Sequence, residues 1–139
     1  MESLRTESAE QTEELAAGLA ADLGPGDVVL VSGDLGAGKT TFVRGAARAL
    51  GVEGPITSPT FTVGHRYRGD VPVSHLDLYR LGGLGGEEPG LLDDYLTPDA
   101  ISFIEWPEVG VGEIGRVALR VRLAHAGADR RGLEVEWCR

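Results

Sequence analysis

One short stretch of this chain constrains its fold more than any other feature does. It follows an apolar, β-branched run from Val28 to Val31 and precedes a segment with helical apolar spacing from Thr41 to Leu50. The stretch fits G-x-x-x-x-G-K-[ST] with the residues Gly33, Asp34, Leu35, Gly36, Ala37, Gly38, Lys39 and Thr40. A strand, a glycine-rich loop of this pattern and a helix are typical of the phosphate-binding P-loop. The sequence therefore predicts that residues 33–40, together with the next residue, Thr41, bind a nucleotide.

Each residue type in this loop has a chemical reason. Glycines let the backbone N–H groups curl around a phosphate, and the following helix points its positive end at the same anion. Lys39 supplies a charge to the β- and γ-phosphates and is assigned a catalytic role, while the Thr40 hydroxyl is placed to hold Mg²⁺. The alternative is a chance match in a chain with 21 glycines. Lys39 is the only lysine of a chain that otherwise uses arginine, which argues against chance.

Two acidic residues at the ends of predicted strands are candidates for the chemistry of the site. Glu105 follows the apolar run from Ala100 to Ile104, where a P-loop enzyme needs a carboxylate for Mg²⁺; a surface acid is the alternative. Asp77 ends another strand, on the same face as His75, and is either a functional acid or a structural one. His65 and His75 have no metal-ligand companions in the sequence, so both are interpreted as structural.

Further residues bear on hydrolysis and on the choice of nucleotide. Trp106 stands where many ATPases have a second, water-activating acid, so slow hydrolysis that depends on a partner is expected. Trp106 itself either covers the nucleotide or belongs to the core. The loop with Thr57, Ser58 and Thr60 either senses the γ-phosphate or is an ordinary turn. The guanine-reading motif [NT]-K-x-D needs a second lysine, so ATP is favoured.

Size and charge limit the class of protein. With 139 residues, the chain is most simply a single domain, 1–139. The net charge of −9 argues against direct binding of nucleic acid, because phosphate backbones need clustered positive charge. No apolar run approaches a membrane span, and the polar start of the chain is unlike a signal peptide. A single cysteine, Cys138, favours a reducing cytoplasm.

The remaining segments predict elements on both sides of the P-loop. Ser8 is expected to cap a helix whose apolar stripe runs to Leu23. The other predicted elements are a hairpin (Phe61 to Tyr67 and Val71 to Tyr79), a helical piece near Leu91 to Leu96, and two strands (Val117 to Leu123 and Leu133 to Trp137). In the first of these two strands apolar residues alternate with arginine, and in the second they alternate with glutamate. This pattern predicts antiparallel pairing with Arg opposite Glu.

Four motifs occur together and in order along the chain. They are residues 33–42 with the P-loop, Ser58-Pro59-Thr60, the run from His75 to Arg80, and Glu105-Trp106-Pro107. Together they resemble the TsaE (YjeE) family, the small bacterial ATPases of tRNA threonylcarbamoyladenosine (t6A) synthesis, over nearly the whole chain. The resemblance implies an α/β fold, a P-loop NTPase-like three-layer sandwich. Its central sheet would be mainly parallel with antiparallel strands added, and helices would cover both faces.

The resemblance also implies a function and roles for residues. Members of this family bind and slowly hydrolyse ATP with Mg²⁺ in the cytoplasm, and they act with the TsaB–TsaD pair that modifies a tRNA adenosine. The tRNA would thus be met only indirectly, and no membrane would be involved. By matching position, Thr40 and Glu105 would hold Mg²⁺, Asp77 would be the catalytic acid near the γ-phosphate, and Trp106 would lie close to the nucleotide. A basic residue near the final turn, Arg130 or Arg131, would also reach the nucleotide.

Two other function classes remain open at this point. A small-molecule kinase uses the same P-loop, with Asp77 as base for a substrate hydroxyl and Arg80 near the phosphates. A nucleotide-dependent scaffold would bind ATP and change shape with little turnover. A kinase should show several arginines near the phosphates, so Arg80 alone is weak support for it. ATP binding with no hydrolysis, even with partners present, would favour the scaffold.

Overall fold

A computed structural model of the protein describes residues 2–33, 37–56, 64–77, 95–105 and 117–138. Within these ranges the chain forms seven strands and two helices. In chain order they are β1 (Glu2–Thr6), α1 (Ala9–Ala20), β2 (Val28–Gly33), α2 (Lys39–Ala49), β3 (Gly64–Arg68), β4 (Pro72–Asp77), β5 (Ile101–Glu105), β6 (Leu119–His125) and β7 (Arg131–Trp137). Neither helix has the length and apolar character needed to span a bilayer.

The seven strands form one mixed sheet in the order β1-β7-β6-β2-β5-β4-β3. Its centre is parallel, since β2 pairs in parallel with both β5 and β6, and β5 with β4. Antiparallel pairs lie toward the edges, between β3 and β4, β6 and β7, and β1 and β7. The predicted α/β fold, with a mainly parallel centre and antiparallel strands added, is confirmed. Strand β1, whose residues are mostly polar, was not predicted.

Both helices pack on one face of this sheet; of the helices expected on both faces, none on the opposite face lies within the described residues. Apolar side chains at every second position of the strands meet the buried face of α1 and α2 in a single core cluster, which includes Val31, Phe42 and Phe103. Helix α1 begins where predicted, because the Ser8 hydroxyl accepts the Gln11 N–H at 3.2 Å. This packing fixes the start of α2, and with it the loop predicted to bind phosphate, against the centre of the sheet.

The other face carries a smaller apolar cluster. Val28, Leu30, Leu76 and Ile104 pack there against Tyr95, Leu96 and Val117. The hydroxyls of Ser74 and Ser102 donate to the Tyr95 carbonyl at 2.7 and 3.4 Å. These hydrogen bonds hold Tyr95 against β4 and β5. The helical piece predicted near Leu91 to Leu96 falls largely outside the described residues.

The predicted hairpin is present and is joined to the end of α2. Strands β3 and β4 run antiparallel around the turn that contains Gly69 and Asp70. The Asp70 N–H donates to the Leu50 carbonyl at 2.8 Å, and a Cβ added to Gly69 would meet that same carbonyl oxygen at 2.5 Å. The close approach at Gly69 thus lets the hairpin turn dock on the C-terminus of α2. Phe61 to Val63, Leu78 and Tyr79 lie outside the described residues.

Candidate functional site

The parallel centre of the sheet brings three segments that carry predicted site residues to one edge. Val31 of β2 and Asp77 of β4 are both Cα partners of Glu105 in β5. The loop that follows β2 leads directly into α2, whose first residue is Lys39. Because parallel strands end at the same edge, the two candidate acids lie at the same edge of the sheet as the start of α2. The sequence placed each acid at a strand end, and the topology makes them neighbours.

Glycine is required at both ends of the P-loop. Gly33 has φ +144°, and a Cβ there would lie 2.4 Å from the Leu123 carbonyl oxygen. Gly38 caps α2 in the left-handed conformation at φ +100°. Its neighbour Ala37 is fully buried. Asp34, Leu35 and Gly36 lie outside the described residues.

Lys39 is buried at the first position of α2, with 5% of its surface exposed. Its Nζ donates to the Gly33 carbonyl oxygen at 2.7 Å, so the ammonium group folds back across the loop. A buried ammonium group needs strong acceptors, and a phosphate oxygen is a better acceptor than a neutral carbonyl. An anion that enters the loop can therefore exchange with Gly33 as a partner of Lys39.

Thr40 and Glu105, the two predicted metal residues, are in contact. The Thr40 Oγ1 donates to Glu105 Oε2 at 3.2 Å, and the carboxylate is only 2% exposed. A hydroxyl and a carboxylate are the hard oxygen donors that Mg²⁺ prefers. Among the described residues no group of three or more His, Cys, Asp and Glu is arranged to hold a metal ion. The pair suits an ion whose other ligands are phosphate oxygens and water.

His75 also contacts Glu105, so its interpretation as a purely structural residue was incomplete. Its Nε2 hydrogen-bonds the same Oε2 that accepts from Thr40, and its ring is fully buried. His65, by contrast, has its Nδ1 2.9 Å from the Tyr67 hydroxyl oxygen. The spacing of His75 two residues before Asp77 was the available signal, because it places both side chains on one strand face.

Asp77 lies beside Glu105 at the end of β4 and is 7% exposed. Its backbone position is thus the one expected of an acid that faces the loop between β2 and α2. Several other predicted site residues fall outside the described ranges; these are Thr57, Ser58, Thr60, Arg80 and Trp106.

The two candidate arginines after the last turn are placed differently. Arg131 Nε donates to the Ala37 carbonyl of the P-loop at 3.1 Å. Its side chain also lines a small cavity of about 40 Å³. Arg130 instead points toward Glu7, with its Nε 3.9 Å from the carboxylate, and is half exposed. Of the two, Arg131 is therefore the one that contacts the P-loop.

The cavity beside Arg131 opens at the N-terminus of α2. Its other lining residues come from α1, from the start of α2 and from the turn before β7, and are Ala9, Thr12, Gly38, Thr41 and Asp129. Thr12 is fully buried, and its hydroxyl oxygen lies 2.6 Å from that of Thr6. The sequence analysis missed the contribution of α1 to this cavity, because it depends on the crossing of α1 over α2 and leaves no local pattern.

Comparison with known proteins shows the family of this chain. The model described as "Threonylcarbamoyl adenosine biosynthesis protein TsaE" matches residues 6–133. The tRNA threonylcarbamoyladenosine biosynthesis protein TsaE of Bacillus subtilis is 38% identical over 128 residues, 91% of this chain and 80% of the relative. The protein of that name from Streptomyces coelicolor is 44% identical over 119 residues, 84% of this chain and 80% of the relative. The crystal structure of Bacillus subtilis YdiB has a TM-score of 0.75 and 33% identity, covering 95% of this chain and 82% of that one.

Proposed function

The chain belongs to the TsaE family of threonylcarbamoyl adenosine biosynthesis, and from this premise we propose that it is a Mg²⁺-dependent ATPase. It binds ATP, hydrolyses it slowly alone, and acts with the TsaB–TsaD complex in the threonylcarbamoylation of tRNA in the cytoplasm. The observation that carries the proposal is the hydrogen bond between Thr40 and Glu105 at the first turn of α2.

The phosphates of ATP are bound by the loop between β2 and α2. Lys39 already lies inside this loop, where its ammonium group meets the Gly33 carbonyl. The left-handed Gly38 turns the chain into α2, so that the N–H groups of the first helical turn point to the same place. The charge of Lys39 and these N–H groups together favour a polyphosphate over a neutral ligand.

Mg²⁺ fits the oxygen donors beside the loop. Thr40 and Glu105 would hold it, the hydroxyl as a ligand and the carboxylate directly or through water. A bound ion would neutralise charge on the β- and γ-phosphates. Glu105 keeps the Thr40 hydroxyl in place by accepting its proton in a hydrogen bond, and its burial excludes bulk water from that bond.

Asp77 is the acid proposed to orient the attacking water. It lies next to Glu105 at the same edge of the sheet. Trp106, and not a second acid, follows Glu105 in the sequence. A site with one such acid is expected to hydrolyse ATP slowly until a partner supplies further groups. This supports an ATPase whose turnover is coupled to the TsaB–TsaD complex.

The nucleoside end of ATP is proposed to lie near Arg131. The hydrogen bond of this residue to the Ala37 carbonyl holds its guanidinium group against the loop, beside the cavity at the start of α2. Arg130 was named together with Arg131 in the sequence analysis, but its position toward Glu7 makes it the weaker candidate.

The test is ATP binding and ATPase rate with and without the purified TsaB–TsaD complex, with Lys39→Ala as the blank. We expect a slow rate that rises on adding the complex, and loss of nearly all ATP binding in Lys39→Ala, whose far-UV circular dichroism should match the parent. ATP binding without hydrolysis, even with the complex present, would replace the ATPase with a nucleotide-dependent scaffold. Normal ATP affinity in Lys39→Ala would overturn the assignment of the loop.

A further inference from the structure

His75 is a polar residue in a place where the fold by itself favours an apolar one. Its ring is fully buried on β4, where its Cα partner in β5 is Phe103. Its Nδ1 has no hydrogen-bond partner among the described residues. Burying a polar atom without a partner costs stability, so packing alone gives no reason for a histidine here. The contact of its other nitrogen, Nε2, with Glu105 is the feature that remains to be explained.

The contact has a defined chemistry. A carboxylate only accepts hydrogen bonds, so Nε2 of His75 carries the proton that Glu105 accepts. Both hydrogen bonds that Glu105 makes within the described residues fall on Oε2, one from Thr40 and one from His75. The other oxygen, Oε1, carries none from these residues. Glu105 is therefore held by one oxygen and offers the second to a metal ion or to its water.

We propose that His75 is a positioning residue that fixes the Glu105 carboxylate in the conformation that accepts the Thr40 hydroxyl. Glu105 has a long side chain, and two donors on opposite elements, α2 and β4, fix its end. The inference rests on the proposed function, because its consequence is that Mg²⁺-dependent binding of ATP requires His75 through Glu105. Carboxylates near a metal ion are commonly held by hydrogen bonds of this kind, and losing one costs about 10- to 100-fold in metal affinity.

Two substitutions separate the hydrogen bond from the volume of the ring. His75→Gln places an amide N–H within reach of the position of Nε2, whereas His75→Leu fills the core without a donor. The measurement is the dissociation constant of ATP with Mg²⁺ and with EDTA, for both variants and the parent. In the parent, Mg²⁺ should raise the affinity for ATP above its value in EDTA. We expect this gain to be about 10-fold smaller in His75→Leu, whose ATP affinity in EDTA should equal that of the parent. His75→Gln should recover most of the gain.

A purely structural role predicts a different result. In that case ATP affinity falls equally with Mg²⁺ and with EDTA, in step with the melting temperature, and that outcome overturns the proposal. So does parental Mg²⁺ dependence in His75→Leu. In a Glu105→Ala background, His75→Leu should cause no further loss of Mg²⁺ dependence, because the group that it positions is gone. Additive losses would contradict an action through Glu105.

A readout that needs no nucleotide distinguishes failure of this inference from failure of the proposed function. Long-range ¹H–¹⁵N NMR spectra report the tautomer of each imidazole, with His65 and His125 as internal references. We expect the Nε2–H form for His75 and a change in its signals in Glu105→Ala. If the parent binds no ATP, the proposed function fails and these spectra alone decide whether His75 holds Glu105. Identical His75 signals in both proteins would overturn the inference, as would failure of His75→Gln to restore Mg²⁺ dependence.

Discussion

Gly45 lets α1 and α2 cross at backbone contact, and replacing it with alanine should destabilise the protein. A Cβ added at Gly45 would lie 2.3 Å from the carbonyl oxygen of Glu13 and 2.4 Å from its Cα. These are backbone atoms, so no side-chain rotation relieves the overlap. To reach an ordinary contact of 3.4 Å, the two helices must separate by about 1 Å at their crossing. Because interiors are closely packed, this separation opens apolar contacts that the helices share.

The expected magnitude is a balance of two effects. In a helix interior, alanine is favoured over glycine by about 1 kcal/mol. Overpacking typically costs about 1–3 kcal/mol, and a contact with backbone belongs at or above the upper end. We therefore expect Gly45→Ala to lower the free energy of unfolding by about 2 kcal/mol. Gly18 is a matched control, since it is also interior to a helix, but a Cβ there meets nothing within 4 Å.

The assay is urea unfolding followed by circular dichroism. The m-value should be the same for all three proteins, so that the midpoints report stability. Gly18→Ala should be more stable than the parent by about 0.5–1 kcal/mol, because only the helix preference changes. The free energy of unfolding of Gly45→Ala should be about 2 kcal/mol lower than that of the parent, and its melting temperature roughly 8 °C lower. If Gly45→Ala is as stable as Gly18→Ala, the helices do not cross at the contact described here, and the reasoning is refuted.

Two further predictions concern the site itself. Asp77→Asn should keep ATP binding and lose most hydrolysis, because the amide cannot accept a proton from water; an unchanged ATPase rate would remove Asp77 from the catalytic site. Arg131→Ala should weaken ATP binding by about 10-fold, the usual effect of one charged hydrogen bond, whereas Arg130→Ala should bind nearly as the parent does. Equal losses of ATP affinity in the two arginine variants, measured by titration calorimetry, would contradict the assignment of Arg131.

Local patterns predicted the parts of the fold that depend on neighbouring residues. The loop from Gly33 to Thr40 needs its glycines and its lysine at fixed spacing, so its motif could be recognised from the chain alone. The alternation of charge also predicted the pairing of the last two strands. The structure confirms it, with Arg120 opposite Glu136 and Arg122 opposite Glu134.

What depends on distant pairing could not be predicted in the same way. Strand β1 is mostly polar, and it is a strand because Leu4 lies opposite Leu133 at the other end of the chain. The contact of His75 with Glu105 likewise follows from the parallel pairing of β4 with β5, and that of Arg131 with Ala37 from the return of β7 to the loop. In each case the sequence around the residue is ordinary, and the contact that matters is with a residue far along the chain.

The apolar packing on the two faces of the sheet also fixes the geometry of the site. In β4, His75 and Asp77 face one side of the sheet while Leu76 faces the other, and Glu105 and Ile104 alternate in the same way in β5. A shift of β5 by one residue would move Glu105 to the opposite face, away from His75, and would bring Ile104 in its place. Because both faces are packed with apolar side chains, such a shift would expose or misplace a core residue on each side. The apolar packing therefore sets the register, and the register sets which carboxylate meets Thr40.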